Sequence, residues 1–284
     1  RNLYNGSAKS IGAMLMKKID RREFIKELSL ITGIILGGIS SSDDSIFTEG
    51  YIDGDIPKRI LGRTGVEVST LALGMGPLGI NREISYEEVE RLVNLCIDLG
   101  INYIDVAPNY GDGEEKLGRI MKTRRNEVFL VTKVEEPDKE GALRQIYESL
   151  KKMQTDHIDA VHLHNFGGFD TDFVLGDNGA LAGLLEAQKS GIIRFIGISG
   201  HEKPMKFIKA IETDKIDIVM PVINFVDKYT YNFESIVLPK AVEHKAGISA
   251  MKVFGGAVGM QYDKPMPALL PEKYHSDSIR YALG

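Results

Sequence analysis

Four side chains with complementary chemistry, Asp105, Tyr110, Lys133 and His164, fall at or just beyond the ends of three successive apolar runs, NYIDVAPNY, VFLVTKV and IDAVHLH. A tyrosine hydroxyl is a stable acid at neutral pH, with an unperturbed pKa near ~10. A lysine ammonium beside it is expected to lower that value by about 1 to 3 units, into the range useful for proton transfer. Asp105 would hold the lysine charged and aimed, and His164 could donate a hydrogen bond that orients a substrate carbonyl. The set is coherent for delivering a proton during reduction of C=O, provided that the three runs are parallel neighbours so that the four groups converge.

The elements that must position them follow from the pattern around them. From residue 57 onward, strand-like runs of β-branched and aromatic residues alternate with helix-like segments, the pattern of a parallel sheet. Strand cores are expected at 71–74, 103–107, 128–134, 158–164, 193–199, 216–223 and 248–253. Ser85 and Glu88 form a capping box ahead of a helix that Gly100 closes, and further helices are expected over 140–154, 179–190, 204–213 and 233–246. Evenly spaced βα units point to an α/β fold of the (β/α)₈ TIM-barrel type, whose active sites form at the C-terminal ends of the strands. A doubly wound sheet is disfavoured because no G-x-G-x-x-G follows the first strand. The chain stops at SIRYALG without an eighth strand. A barrel lacking a stave leaves two open edges, so the sequence reads as truncated before its eighth βα unit.

Composition sets the outer bounds. The 284 residues are 43% hydrophobic with a formal charge of −5, and no apolar run is long enough to span a bilayer stably. No basic helix with interleaved aromatics argues for nucleic acid. Cys96 is the only cysteine, which excludes an intrachain disulfide, argues against a cysteine-ligated metal centre and leaves a packing role on a helix face. Residues 16–42 combine Arg21 and Arg22 with a short apolar stretch and a serine run, the layout of an export signal, and Arg21 to Lys26 resemble a twin-arginine motif. That reading makes the twin-arginine export machinery a partner and a periplasmic or other extracytoplasmic location the expectation; a cytoplasmic protein with a short amphipathic leader is the alternative. Residues 1–15 read as upstream sequence, 43–56 as a linker and 57–284 as the barrel domain.

Several spaced motifs resemble the aldo-keto reductase family: RILGRTGVEVSTLALGMG is similar to its opening hairpin and first strand, NYIDVAPNYGDGEEKLG to its second-strand signature, and TK, LHN and IRFIGIS recur in order. The resemblance spans residues 57–284. It implies a (β/α)₈ fold, a small-molecule carbonyl substrate (an aldehyde, ketone or sugar) and a nicotinamide cofactor, NADP(H) favoured over NAD(H). It also implies a tetrad on Asp105, Tyr110, Lys133 and His164 with Tyr110 as general acid. Cofactor contacts are implied at Gly76, Asp105, Ser199, Asn224, Met251, Lys252, Phe254 and Gly255. GISGHEKP resembles a bacterial subgroup, with Gly200 and His201 where many members have Asn; Met251 stands where an aromatic residue usually stacks on the nicotinamide, and Asn224 would take over an amide contact. Of the two histidines in VHLH, His164 is expected inward and His162 on the opposite face as a structural residue. Two other readings are a non-catalytic nicotinamide-binding barrel, acting as a sensor or partner protein, and a Schiff-base lyase using Lys133.

Overall fold

Parallel strands buried on both faces read as near-continuous apolar runs, and the seven runs above fold as seven such strands. The computed structural model describes residues 34–37, 56–255 and 272–284. The upstream sequence, the twin-arginine motif and the linker therefore lie outside the described residues, apart from 34–37 and Ile56. A hairpin comes first in the barrel domain, β2 (Lys58–Ile60) against β3 (Glu67–Ser69), as the resemblance implies. The parallel strands follow: β4 (Leu71–Gly74), β5 (Tyr103–Asp105), β6 (Phe129–Val134), β7 (Ile158–Leu163), β8 (Ile193–Gly200), β9 (Ile218–Pro221) and β10 (Gly247–Ala250). They pair in chain order as a curled sheet. The backbone of β1 (Ile34–Gly37) lies between the two edges, antiparallel to β10 and to β4. Among the described residues no parallel strand follows β10, in keeping with a barrel short of its eighth βα unit.

Helices cover the outer face: α1 (Gly76–Ile80), α2 (Tyr86–Asp98), α3 (Gly113–Arg124), α4 (Lys139–Met153), α5 (Thr171–Leu175), α6 (Ala180–Lys189), α7 (Pro204–Ile211), α8 (Phe233–Glu243) and α9 (His275–Leu283). The capping box of α2 is complete, with Glu88 N donating to Ser85 Oγ at 3.2 Å and Ser85 N donating to Glu88 Oε2 at 2.9 Å. Such a cap contributes about 1 kcal/mol. Cys96 is fully buried beside Leu92 and Val93 of α2, the packing role expected of it. No helix among the described residues is long and apolar enough to cross a membrane.

Alternation decides what each strand shows to the barrel interior. Thr132 of β6 faces outward and donates to Glu114 of α3 at 2.8 Å, so Phe129, Val131 and Lys133 face inward. Inside, the rings of Tyr103 and Phe129 stack 5.4 Å apart, and those of Phe129 and Phe195 6.0 Å apart. This aromatic layer fills the barrel below the polar residues. At the opposite end of the strands, two carboxylates tie neighbours together. Asp159 accepts from Leu130 N at 2.9 Å, from Arg125 at 2.7 Å and from Arg194 at 2.6 Å; Asp217 accepts from Ile196 N and from Arg63 Nε, each at 3.0 Å.

Candidate active site

The C-terminal ends of β5, β6 and β7 bring Asp105, Lys133 and His164 together, and the loop after β5 adds Tyr110. Lys133 Nζ donates to Asp105 Oδ2 at 2.6 Å and to Val106 O at 2.9 Å, and both side chains are buried. The same ammonium lies 4.9 Å from the centre of the Tyr110 ring. The His164 ring meets the Tyr110 ring edge-on, with centroids 6.0 Å apart at 84°. All four expected residues therefore share one site.

Tyr110 is held there by backbone packing. Its N–H donates to Ala107 O at 3.0 Å, and Gly113 N donates to its carbonyl at 2.9 Å. The turn continues through Gly111 at φ +55°, a left-handed conformation that favours glycine. Gly79 of α1 presses against this turn so closely that a Cβ on it would stand 1.9 Å from Tyr110 O. The ring then rests beside Gly76, at van der Waals distance from where a Cβ would be.

The electrostatics differ from the simplest expectation. The Tyr110 hydroxyl is not lowered by Lys133: burial pushes it above its ordinary value, and the carboxylates of Asp105 and Glu135 push it further in the same direction. The physical reason is that the ammonium is already engaged by Asp105 and faces the ring rather than adding a free positive charge at the hydroxyl. Burial likewise pushes the Asp105 carboxyl up, while Lys133 pulls it back. His164 is held below its ordinary value by burial, with Glu135 opposing, so its imidazole is neutral at neutral pH.

Glu135 is a member of the site that sequence reasoning missed. Its Oε1 accepts from Asn109 Nδ2 at 2.6 Å and lies 3.2 Å from His164 Nδ1, off the line of a hydrogen bond. The signal was present, because Glu135 is two residues beyond Lys133 and so continues the inward face. His162 requires a correction. Residues two apart in a strand share a face, so His162 points inward with His164; it is fully buried and pairs in register with Lys133 and Gly197.

The expected cofactor contacts lie around the same rim. Ser199, at the end of β8, is buried with no partner for its Oγ among the described residues. Met251 continues β10, bridging to Val222. The Asn224 carboxamide is engaged by the loop: it donates to Lys252 O at 2.9 Å and accepts from Val226 N and Asp227 N at 3.0 and 2.8 Å. That leaves one amide proton for any ligand, and it fixes Lys252 at φ +56°. Burial and the charge of Lys133 bring the Lys252 ammonium down to about 8. His201 is brought down to about 3 by burial, with Lys252 adding to the effect. Phe254 turns toward α9, its ring 4.5 Å from that of His275, and Gly255 closes the turn by donating to Lys252 O at 2.8 Å.

Comparison with known proteins agrees with this fold. The model of the Aldo/keto reductase family matches residues 70–273. An uncharacterized oxidoreductase, YqkF of Bacillus subtilis, is 27% identical over 223 residues, covering 74% of this chain and 68% of that protein. L-galactose dehydrogenase of Arabidopsis thaliana is 31% identical over 158 residues, and the match spans about half of each, 51% of this chain and 49% of the dehydrogenase. A solved structure of a putative aldo-keto reductase from Pseudomonas aeruginosa superposes with a TM-score of 0.61 at 29% identity, covering 71% of this chain and 80% of that one. The chain belongs to the aldo/keto reductase family.

Proposed function

We propose that this protein reduces an aldehyde, ketone or sugar carbonyl to the alcohol with NAD(P)H, Tyr110 acting as general acid. The observation that carries the proposal is the buried Lys133–Asp105 pair at 2.6 Å, set against the Tyr110 ring with His164 at its edge. A donor in this reaction must be protonated before transfer, and the raised hydroxyl of Tyr110 is protonated at neutral pH. Its partner is a developing alkoxide, a base strong enough to take a proton from an ordinary phenol. The ammonium under the ring fixes the ring's place, and Asp105 prevents that ammonium from swinging away. His164, neutral and beside the ring, orients the carbonyl oxygen.

The rim fits a nicotinamide cofactor: the unpartnered Ser199 Oγ suits its amide, and Lys252 with the crowded positive charge around it suits a phosphate. Gly76, Asp105, Asn224, Met251, Phe254 and Gly255 complete the proposed contacts, with Asn224 limited to one amide proton and Phe254 turned to α9. When bound, the cofactor supplies the hydride. NADP(H) is favoured over NAD(H) on the family resemblance. The kinship with L-galactose dehydrogenase supports sugars within the substrate range.

The test is Tyr110→Phe. General acid catalysis contributes about 10² to 10⁴ in rate, so reduction should fall by that factor while NADPH still binds. The chain has no tryptophan, so binding is followed through the fluorescence of NADPH itself. Undiminished turnover by the variant would refute the assignment.

A further inference from the structure

His162 is an interior histidine that the proposed chemistry does not use. It sits on the inner face of β7, level with Lys133 on β6 and Gly197 on β8, and is wholly shielded from solvent. Its ring fills the space that a side chain at 197 would need: a Cβ there would lie 2.2 Å from Cδ2 and 2.5 Å from Nε2. Neither ring nitrogen has a hydrogen-bond partner among the described residues, and Asp105 Oδ1 shares that condition. Lys133 uses two of its three ammonium protons on Asp105 Oδ2 and Val106 O. A buried polar group left unpaired is destabilising, so a residue serving only to pack would be better apolar. Interiors meet such demands with ordered water.

We propose that His162 is a positioning residue for the Lys133–Asp105 pair, joined to it through buried water that links its ring to Asp105 Oδ1 and to the third ammonium proton. The inference rests on the reductase reading for its kinetic consequence and on the barrel interior alone for its geometry. The titratable groups facing this part of the interior are Tyr103 and Asp105 on β5, Lys133 on β6 and His164 on β7. Burial and the positive charge of Lys133 keep the His162 imidazole well below its ordinary value, so it is neutral. A neutral ring offers both a donor and an acceptor, and through water the acceptor favours the charged ammonium.

The test compares His162→Leu with His162→Gln in the full chain, using NADPH and 4-nitrobenzaldehyde as the probe. His162→Leu should lower kcat about tenfold, equivalent to about 1.4 kcal/mol of barrier, with KM little changed. It should also move the alkaline limb of the kcat profile down by about one unit, because the charged pair has then lost its water-mediated acceptor. His162→Gln, which keeps a donor and an acceptor, should restore most of kcat and return the limb. If both variants lose thermal stability while kcat and the limb stay put, His162 only packs and the proposal is overturned. If the wild-type protein reduces no aldehyde, ketone or sugar with either nicotinamide, the reductase reading fails separately. Nitrogen-15 NMR of the wild-type His162 ring then decides: a neutral ring hydrogen-bonded at both nitrogens supports the proposal, and a nitrogen with no hydrogen bond overturns it.

Discussion

Replacing Lys133 by Met keeps the length of the side chain and removes its charge. Asp105, 2% exposed, has an ammonium at 2.6 Å from Oδ2 and no side-chain or backbone partner on Oδ1 among the described residues. The variant therefore buries a carboxylate with no counter-charge, and Val106 O loses its donor as well. Removing one member of a buried ion pair costs about 3 to 5 kcal/mol, a large share of the about 5 to 15 kcal/mol that keeps a typical domain folded. The carboxyl escapes that cost by taking up a proton. Burial already pushes Asp105 upward and Lys133 is the main opposing influence, so in the variant its folded pKa lies far above the unfolded value near ~3.9. Such a group binds more protons folded than unfolded; its contribution is fully present below the unfolded pKa and is lost as pH rises through the folded one. The deficit of Lys133→Met against wild type should thus be largest at neutral to alkaline pH and shrink on acidification. Urea unfolding followed by far-UV circular dichroism, with both proteins compared at about pH 5 and about pH 8, measures it. A deficit equal at the two values, or below about 1 kcal/mol at the higher, would refute the reasoning.

Two further outcomes follow from the loops. Gly79→Ala places a methyl 1.9 Å from Tyr110 O, so the turn carrying Tyr110 must move; kcat should fall by about tenfold or more, since small displacements of catalytic groups carry that penalty, and steady-state kinetics with unchanged NADPH affinity would confirm it. Lys252, near 8, should lose its charge as pH rises, so NADPH affinity should weaken above about pH 8 in the wild type, whereas the weaker binding of Lys252→Met should be flat across the same range. Titrations of both proteins through that interval check the contrast.

The strands were legible because a sheet buried on both faces imposes continuous apolar runs, and β4 coincides with its expected limits. The expected strand over 216–223 shrinks to Ile218–Pro221, since apolar side chains continue past the last ladder bond into the loop. Asp105, Lys133 and His164 stood out as polar residues ending such runs. Helix α3 did not, because it opens on the Gly-Asp-Gly that also reads as a turn. Glu135 was hidden in EEPDKE, which resembles a solvated surface. Its inward direction follows only once β6 is known to extend to Val134. The Tyr110 hydroxyl went the opposite way from expectation because proximity to a cation is visible in a sequence, whereas burial and the prior claim of Asp105 on that cation are properties of the folded site.

Asp159 and Asp217 lie at the far end of the barrel from the chemistry, yet each binds a backbone N–H of the adjoining strand as well as arginine. A bond from a side chain on one strand to a fixed amide on the next is satisfied in a single alignment. Sliding β6 past β7, or β8 past β9, by one residue would break it and shift the strand by about 3.3 Å. At the β6–β7 seam that shift would move Lys133 away from its level beside His162 and His164 and exchange the inward residues for the helix-facing ones. The two floor carboxylates thus act as alignment pins: remote from any ligand, they set the level at which the catalytic groups meet.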